Sequence, residues 1–131
     1  QIGFVIGDCY IEGKPVLDSP RWVLKSQIAK AAEAGYTFKT GVEPEFFILS
    51  KEGDEAAISD KLDTLSKPCY ETSALMRRFT VLTEIVDALN ESGFGVYQTD
   101  HEDANGQFEI NWHYTDCLKT ADLHVFFKWV V

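Results

Sequence analysis

The 131-residue chain has no long uncharged apolar run, no basic signal-like N-terminus and no lipidation motif. Nothing in it therefore directs it into or across a membrane, and the cytoplasm is the default expectation. Three cysteines, Cys9, Cys69 and Cys117, are odd in number and widely spaced, with no CxxC pair. That excludes a disulfide framework and a zinc cage, and leaves three ordinary thiols. Positive charge is scarce: 12 Lys and Arg stand against 21 Asp and Glu, a net charge of −9. Phosphate recognition needs basic side chains, so nucleic acid is an unsuitable partner and cations are a better one. No repeat, low-complexity tract or linker is visible. There is no initiator methionine, and the closing stretch "ADLHVFFKWVV" has helical spacing with no Gly, Asn or Pro to end it. Both ends read as cuts, so the expectation is an internal piece of a longer protein, with apolar side chains around Phe126 and Trp129 left exposed.

What is present suffices for one core, since 45% of the residues are apolar and 13% aromatic in a chain of single-domain size. A short strand is expected over residues 3–6, followed by a loop through "GDCYIEGKPVLDS". Ser19 should cap a helix with Pro20 in its first position, Trp22, Val23, Ile28, Ala29, Ala31 and Ala32 as apolar positions, and Gly35 as its stop. Residues 36–49 are strand-like, and 50–66 read as a polar loop around "KEGDEAA" with a short helical turn after it. Leu75, Met76, Phe79, Leu82, Ile85, Val86 and Leu89 make one stripe of a helix over 73–91, ended by Gly93. Residues 94–102 and 107–114 form the arms of a hairpin, and Asp116 opens a last helix. The fold class expected is α+β, a largely antiparallel sheet backed by helices.

The hairpin carries the chemistry. Asn105-Gly106 is a strong signal for a two-residue type I′ turn. Counting outward pairs Ala104 with Gln107, Asp103 with Phe108 and Glu102 with Glu109, at roughly 4.5–5.5 Å between Cβ atoms. Two carboxylates opposed that way repel unless something stands between them. The second arm alternates, with Gln107, Glu109, Asn111 and His113 on one face and Phe108, Ile110, Trp112 and Tyr114 on the other. In "GVEPEFFIL", Glu43 and Glu45 share one face of a strand, while Pro44, lacking an N–H, belongs at an edge or an irregularity. If both strands share a sheet, four carboxylates converge. Three explanations are open: solvent-facing glutamates, an acid/base pair of the glycosidase kind, or hard divalent cations. The acid/base pair uses two carboxylates. Mg²⁺ or Mn²⁺ accounts for all four and places an ion between Glu102 and Glu109.

The stretches "GVEPEFFIL", "KPCY" and "DHEDANGQFEINWHYTDCLKTADLHVFFKWVV" resemble the glutamine synthetase family, in the type III-like branch that includes γ-glutamylmethylamide synthetases. The segment "GDCYIEGKPVLDSPRWVLK" is similar to the opening of that family's catalytic domain, so the likeness covers nearly the whole chain. It implies that residues 1–131 are the first part of a glutamine synthetase catalytic (guanido kinase-like) domain, with the β-grasp domain and the C-terminal remainder absent. By the resemblance, two divalent ions sit at the waist of a funnel that ATP and glutamate enter from opposite ends. Glu45, Glu102 and Glu109 match the ligands of the ion nearer glutamate and ammonia, and Glu43 matches a ligand of the ion that holds the ATP phosphates. Glu102 and Tyr70 take catalytic places, Tyr70 near the ammonium site, and Tyr114 falls near the adenine. For both tyrosines a packing role is the competing reading. The implied activity is ATP-dependent ligation of ammonia to the γ-carboxylate of glutamate through γ-glutamyl phosphate, in a ring-forming homo-oligomer. The histidine, glutamate and arginines that complete the family's site are missing, so this chain alone is expected to be inactive. Alternatives are a ligase for methylamine or another amine, a catalytically silent structural relative, and a stand-alone divalent-ion module.

Overall fold

The computed structural model describes residues 3–131, which fall into two compact units. One comprises the chain through Gly41 together with Tyr114–Phe126, and the other Val42–His113 with Phe127–Val131.

In the first unit no strand forms over residues 3–9. The first strands are β1 (Tyr10–Ile11) and β2 (Lys14–Pro15), an antiparallel pair inside the stretch expected to be loop. Helix α1 (Pro20–Glu33) begins after Ser19 with Pro20 in its first turn and stops before Gly35, whose φ of +84° lies where a side chain is disfavoured. None of its side chains is buried among the described residues, so its apolar positions form no core of their own. Polar contacts hold it instead. Arg21 meets both oxygens of Asp122 at 3.0 Å and also donates to Asp8, which accepts from Lys25 Nζ at 2.6 Å. Strand β3 (Lys39–Thr40) leads out of this unit.

The second unit contains β4 (Glu45–Phe47), β5 (Leu49–Glu52), β6 (Glu55–Ile58), α2 (Thr72–Arg77), α3 (Phe79–Glu91), β7 (Val96–His101) and β8 (Gln107–Trp112). Strand β9 (Thr115–Asp116) returns to pair with β3 in the first unit. The last helix, α4 (Cys117–Val130), gives its residues through Phe126 to the first unit and Phe127 onward to the second. Asp116 caps it by accepting from Lys119 N at 2.9 Å, as its position predicted.

The central sheet is antiparallel with strand order β4-β8-β7, and β4 lies at an edge with Pro44 just before it. Phe108, Ile110 and Trp112 on one face of β8 are buried with Leu82 and Leu89 of α3, Ala74 of α2, Phe94 and Phe127. The apolar face of the hairpin is therefore the core, as the alternation required. Tyr114 departs from it, since it lies past β8 in the first unit and is 67% exposed. Trp129 is 73% exposed, while Phe126 is half-buried with its ring 5.4 Å from Phe4.

In the second unit two further elements differ from expectation. The helix over 73–91 is two helices broken at Arg78, with Glu71 capping the first through Ser73 N at 3.0 Å and Ala74 N at 2.6 Å. Consecutive side chains on an unbroken helix diverge by about 100°. Here Arg77 and Arg78 both turn to the segment after β6, Arg77 Nε to Asp60 at 2.6 Å and Arg78 to the Ser59 carbonyl. The stretch "KEGDEAA" is no loop but most of the β5-β6 hairpin, closed by Gly53-Asp54 with Gly53 at φ +64°. Positive φ at the first central residue alone is the type II′ pattern. Its strands of Ser, Lys, Glu and Ala have weak strand propensity, which concealed them.

The hairpin register is also corrected. Asp100 lies opposite Glu109 and His101 opposite Phe108, while Glu102 N donates to Gln107 O at 2.9 Å. Glu102 thus faces Gln107 and is diagonal to Glu109. The loop has four residues, 103–106, with positive φ at Gly106 (+74°) and not at Asn105, so the turn is not type I′. Asp63, buried, accepts from Gly106 N at 2.6 Å and Asn105 Nδ2 at 3.0 Å, and Ile58 Cγ2 would lie 2.7 Å from a Cβ at position 106. These tertiary contacts outweigh the local turn preference. Because the slip is by two residues, every side chain keeps its face.

Two consequences can be measured. Gly106→Ala adds the left-handed backbone cost of about 1–2 kcal/mol to a collision with Ile58. Chemical denaturation should show it destabilised by at least that much, and an unchanged midpoint would mean the turn is not built this way. Burial opposes the charge on Asp63, but hydrogen bonds from Gly106, His101 and Asn105 outweigh it and hold the carboxyl below its ordinary value of 3.8. The resulting stability is complete above that value and lost as pH falls below it through the folded one. The melting-temperature gap between wild type and Asp63→Asn should therefore narrow in strong acid, and a gap that widens there would contradict the assignment.

Candidate metal centre

Strand pairing assembles the site on the polar face of the β4-β8-β7 sheet. Glu45 of β4 lies directly opposite Glu109 of β8, and Glu102, just past β7, reaches them along the diagonal. One carboxylate oxygen from each of Glu45, Glu102 and Glu109 lies within 4.8 Å of the other two. Oxygens that share one Mg²⁺-sized ion at about 2.1 Å are separated by at most roughly 4.2 Å. The three are near enough for side-chain adjustment to bring them onto one ion, and an all-carboxylate donor set suits a hard cation such as Mg²⁺ or Mn²⁺.

Neutral amides hold two of the three. Gln107 donates its Nε2–H to Glu45, and Asn111 Nδ2 donates to Glu109 Oε1 at 2.6 Å. Among the described residues no Lys, Arg or His forms an ion pair with any of the three. Burial pushes the carboxyl of Glu102 up, and the charges of Glu109, Glu45, Asp100 and Asp103 add to it. The cluster is a concentration of negative charge that its own surroundings do not cancel.

The remaining sequence candidates are placed as follows. Glu43 is exposed two residues before Glu45 and is not part of the three-carboxylate group. Tyr70 is 70% exposed with φ at +62°, an unusual conformation for a bulky residue, and its N–H donates to the His101 carbonyl at 2.8 Å. Its phenol is pushed up by Cys69, Glu102 and Asp100, which sets it in the field of the carboxylates, and it is not packed among the described residues. Tyr114 is exposed in the other unit, with Lys39 Nζ 5.8 Å from its ring centre, and is likewise not packed among the described residues. Sequence reasoning missed Gln107, Asn111 and Asp63. The first two were visible as neutral partners on the glutamate face, whereas Asp63 lies 38 residues from His101 with no local pattern to mark it.

The glutamine synthetase catalytic domain family matches residues 17–131. The chain is 54% identical over its full length to glutamine synthetase of Rhizobium leguminosarum bv. phaseoli, covering 30% of that protein. It is 46% identical over 92% of its length to glutamate–methylamine ligase of Methyloversatilis universalis, covering 27% of it. A solved GmaS/ADP complex superposes on 94% of the chain with a TM-score of 0.85 at 54% identity, the match covering 28% of that structure. The chain thus spans about 30% of the length of such relatives. The α+β architecture is that of part of this catalytic domain, and no described helix is long and apolar enough to cross a membrane. With a family match over most of its residues and full-length identity above one half to a named member, the chain belongs to the glutamine synthetase catalytic domain family.

Proposed function

We propose that residues 1–131 form the first part of the catalytic domain of a cytoplasmic, ring-forming ATP-dependent ligase. It joins ammonia, or a small amine such as methylamine, to the γ-carboxylate of glutamate through γ-glutamyl phosphate. The observation that carries this reading is the convergence of Glu45, Glu102 and Glu109 on one sheet face. These three hold one Mg²⁺ or Mn²⁺, which when bound supplies Lewis-acid neutralisation of a transferring phosphoryl group and of the carboxylate it activates. Gln107 and Asn111 keep Glu45 and Glu109 aimed across the sheet. Asp100 and Asp103 add negative charge beside Glu102 and favour an ammonium or alkylammonium cation, with Tyr70 next to it. Glu43 serves a second ion at the ATP phosphates, and Tyr114 the adenine, with further ligands from the segments that the longer relatives carry.

The relatives include both a glutamine synthetase and a glutamate–methylamine ligase at comparable likeness, so the amine is decided by assay. The full-length protein, given glutamate, ATP and Mg²⁺ with either ammonium or methylamine, should release phosphate and form the corresponding γ-glutamyl amide. Residues 1–131 alone should form none. Absence of product with both amines would leave the silent structural relative standing. Glu109→Gln keeps the shape and removes one charge, and calorimetric titration with Mn²⁺ should show binding weakened by about tenfold or more. Equal affinities would make Glu109 a solvent-facing residue and overturn the metal reading.

A further inference from the structure

The Asp63 carboxylate stands behind the metal face, and its contacts lead to two of the three glutamates. His101 sits between it and Glu102, with Nε2 2.7 Å from Asp63 Oδ2 and Nδ1 2.9 Å from the Glu102 carbonyl oxygen. On the other side Asp63 accepts from Gly106 N and Asn105 Nδ2, fixing the four-residue turn. That turn sets Gln107, whose Oε1 accepts from Ala104 N at 3.0 Å while its Nε2 donates to Glu45. With the two-residue turn that Asn-Gly prefers, Gln107 O would pair with Ala104 N, Glu102 would face Glu109 directly, and the Gln107 amide would lose its place in the turn. Asp63 and His101 are both buried, so solvent does not compete for these bonds.

We propose that Asp63 is a positioning residue for the divalent-ion centre, because it holds the turn and the His101 ring from which Glu102 and, through Gln107, Glu45 take their places. The proposal rests on the metal reading above. It gives Asp63 a part in the geometry of the ion beyond its contribution to the stability of the fold.

The test uses the full-length protein, with Mn²⁺ as the probe, at a temperature well below every variant's melting point. Asp63→Asn should weaken Mn²⁺ binding by about tenfold or more, as loss of an outer partner does in other metal sites. The control is Asp60→Asn. Asp60 is also buried and binds Arg77 and Leu62 N, but it makes no contact with the turn. That variant should melt earlier and keep its Mn²⁺ affinity within about twofold of wild type, since the Asp60 side chain binds none of the ion's supports and its backbone carbonyl, which accepts from Asp63 N at 3.1 Å, is unchanged by the substitution. Unchanged affinity in Asp63→Asn, with Glu109→Gln weakened, would overturn the positioning role and leave the metal reading intact. Equal losses in Asp63→Asn and Asp60→Asn would mean general destabilisation and overturn it as well. If Glu109→Gln binds Mn²⁺ like wild type, the metal reading fails and the positioning role falls with it. Should Asp63→Asn not fold, Asn105→Ala removes one arm of the same tie at a half-buried residue. It should weaken binding severalfold, and wild-type affinity there would overturn the proposal.

Discussion

Three carboxylates on one face of a sheet repel one another, and the second unit is arranged around keeping them together. The apolar face of β8 supplies the opposing force: Phe108, Ile110 and Trp112 are buried with α3 and the end of α4, so the strand cannot rotate its glutamate away without exposing its core. Pairing with β4 then puts Glu45 opposite Glu109 at a spacing that water alone would not favour. Stability from the hidden face is thus set against electrostatic strain on the visible one. A cation relieves that strain, so binding and structural repulsion are two aspects of one arrangement.

The supports of the cluster are neutral or lie behind it. Gln107 and Asn111 orient carboxylates with amide groups, which direct an oxygen without cancelling its charge, and Asp63 organises the turn from beneath. A lysine in either amide position would neutralise the cluster and compete with an incoming ion. The absence of such a partner among the described residues is what separates these three glutamates from Asp8, Asp60 and Asp122, which are paired with arginine or lysine and serve the fold.

Much of this was legible because it depends on short-range periodicity. Alternation along residues 107–112 identified the buried face, and Pro20 and Gly35 bounded α1, whereas Glu43, expected to share a strand face with Glu45, lies before β4 and outside the carboxylate group. The register was not legible. Asn-Gly states a local preference, and Asp63, Leu65 and Ile58, 40 or more residues away, override it through hydrogen bonds and a close approach to Gly106. The site survived the error because side chains alternate with period two, and a slip of two returns each to its own face. The break at Arg78 was hidden because Arg77 and Arg78 turn to Asp60 and Ser59 elsewhere in the chain, and the β5-β6 hairpin because its strands have weak propensity of their own.

The central claim is spatial, that one ion is shared by Glu45, Glu102 and Glu109. It is tested most directly by anomalous diffraction from Mn²⁺-soaked crystals of the full-length protein. The expected result is a manganese peak with one carboxylate oxygen from each of the three residues at about 2.1–2.2 Å. A manganese peak bound elsewhere, with these three carboxylates left apart, would contradict it.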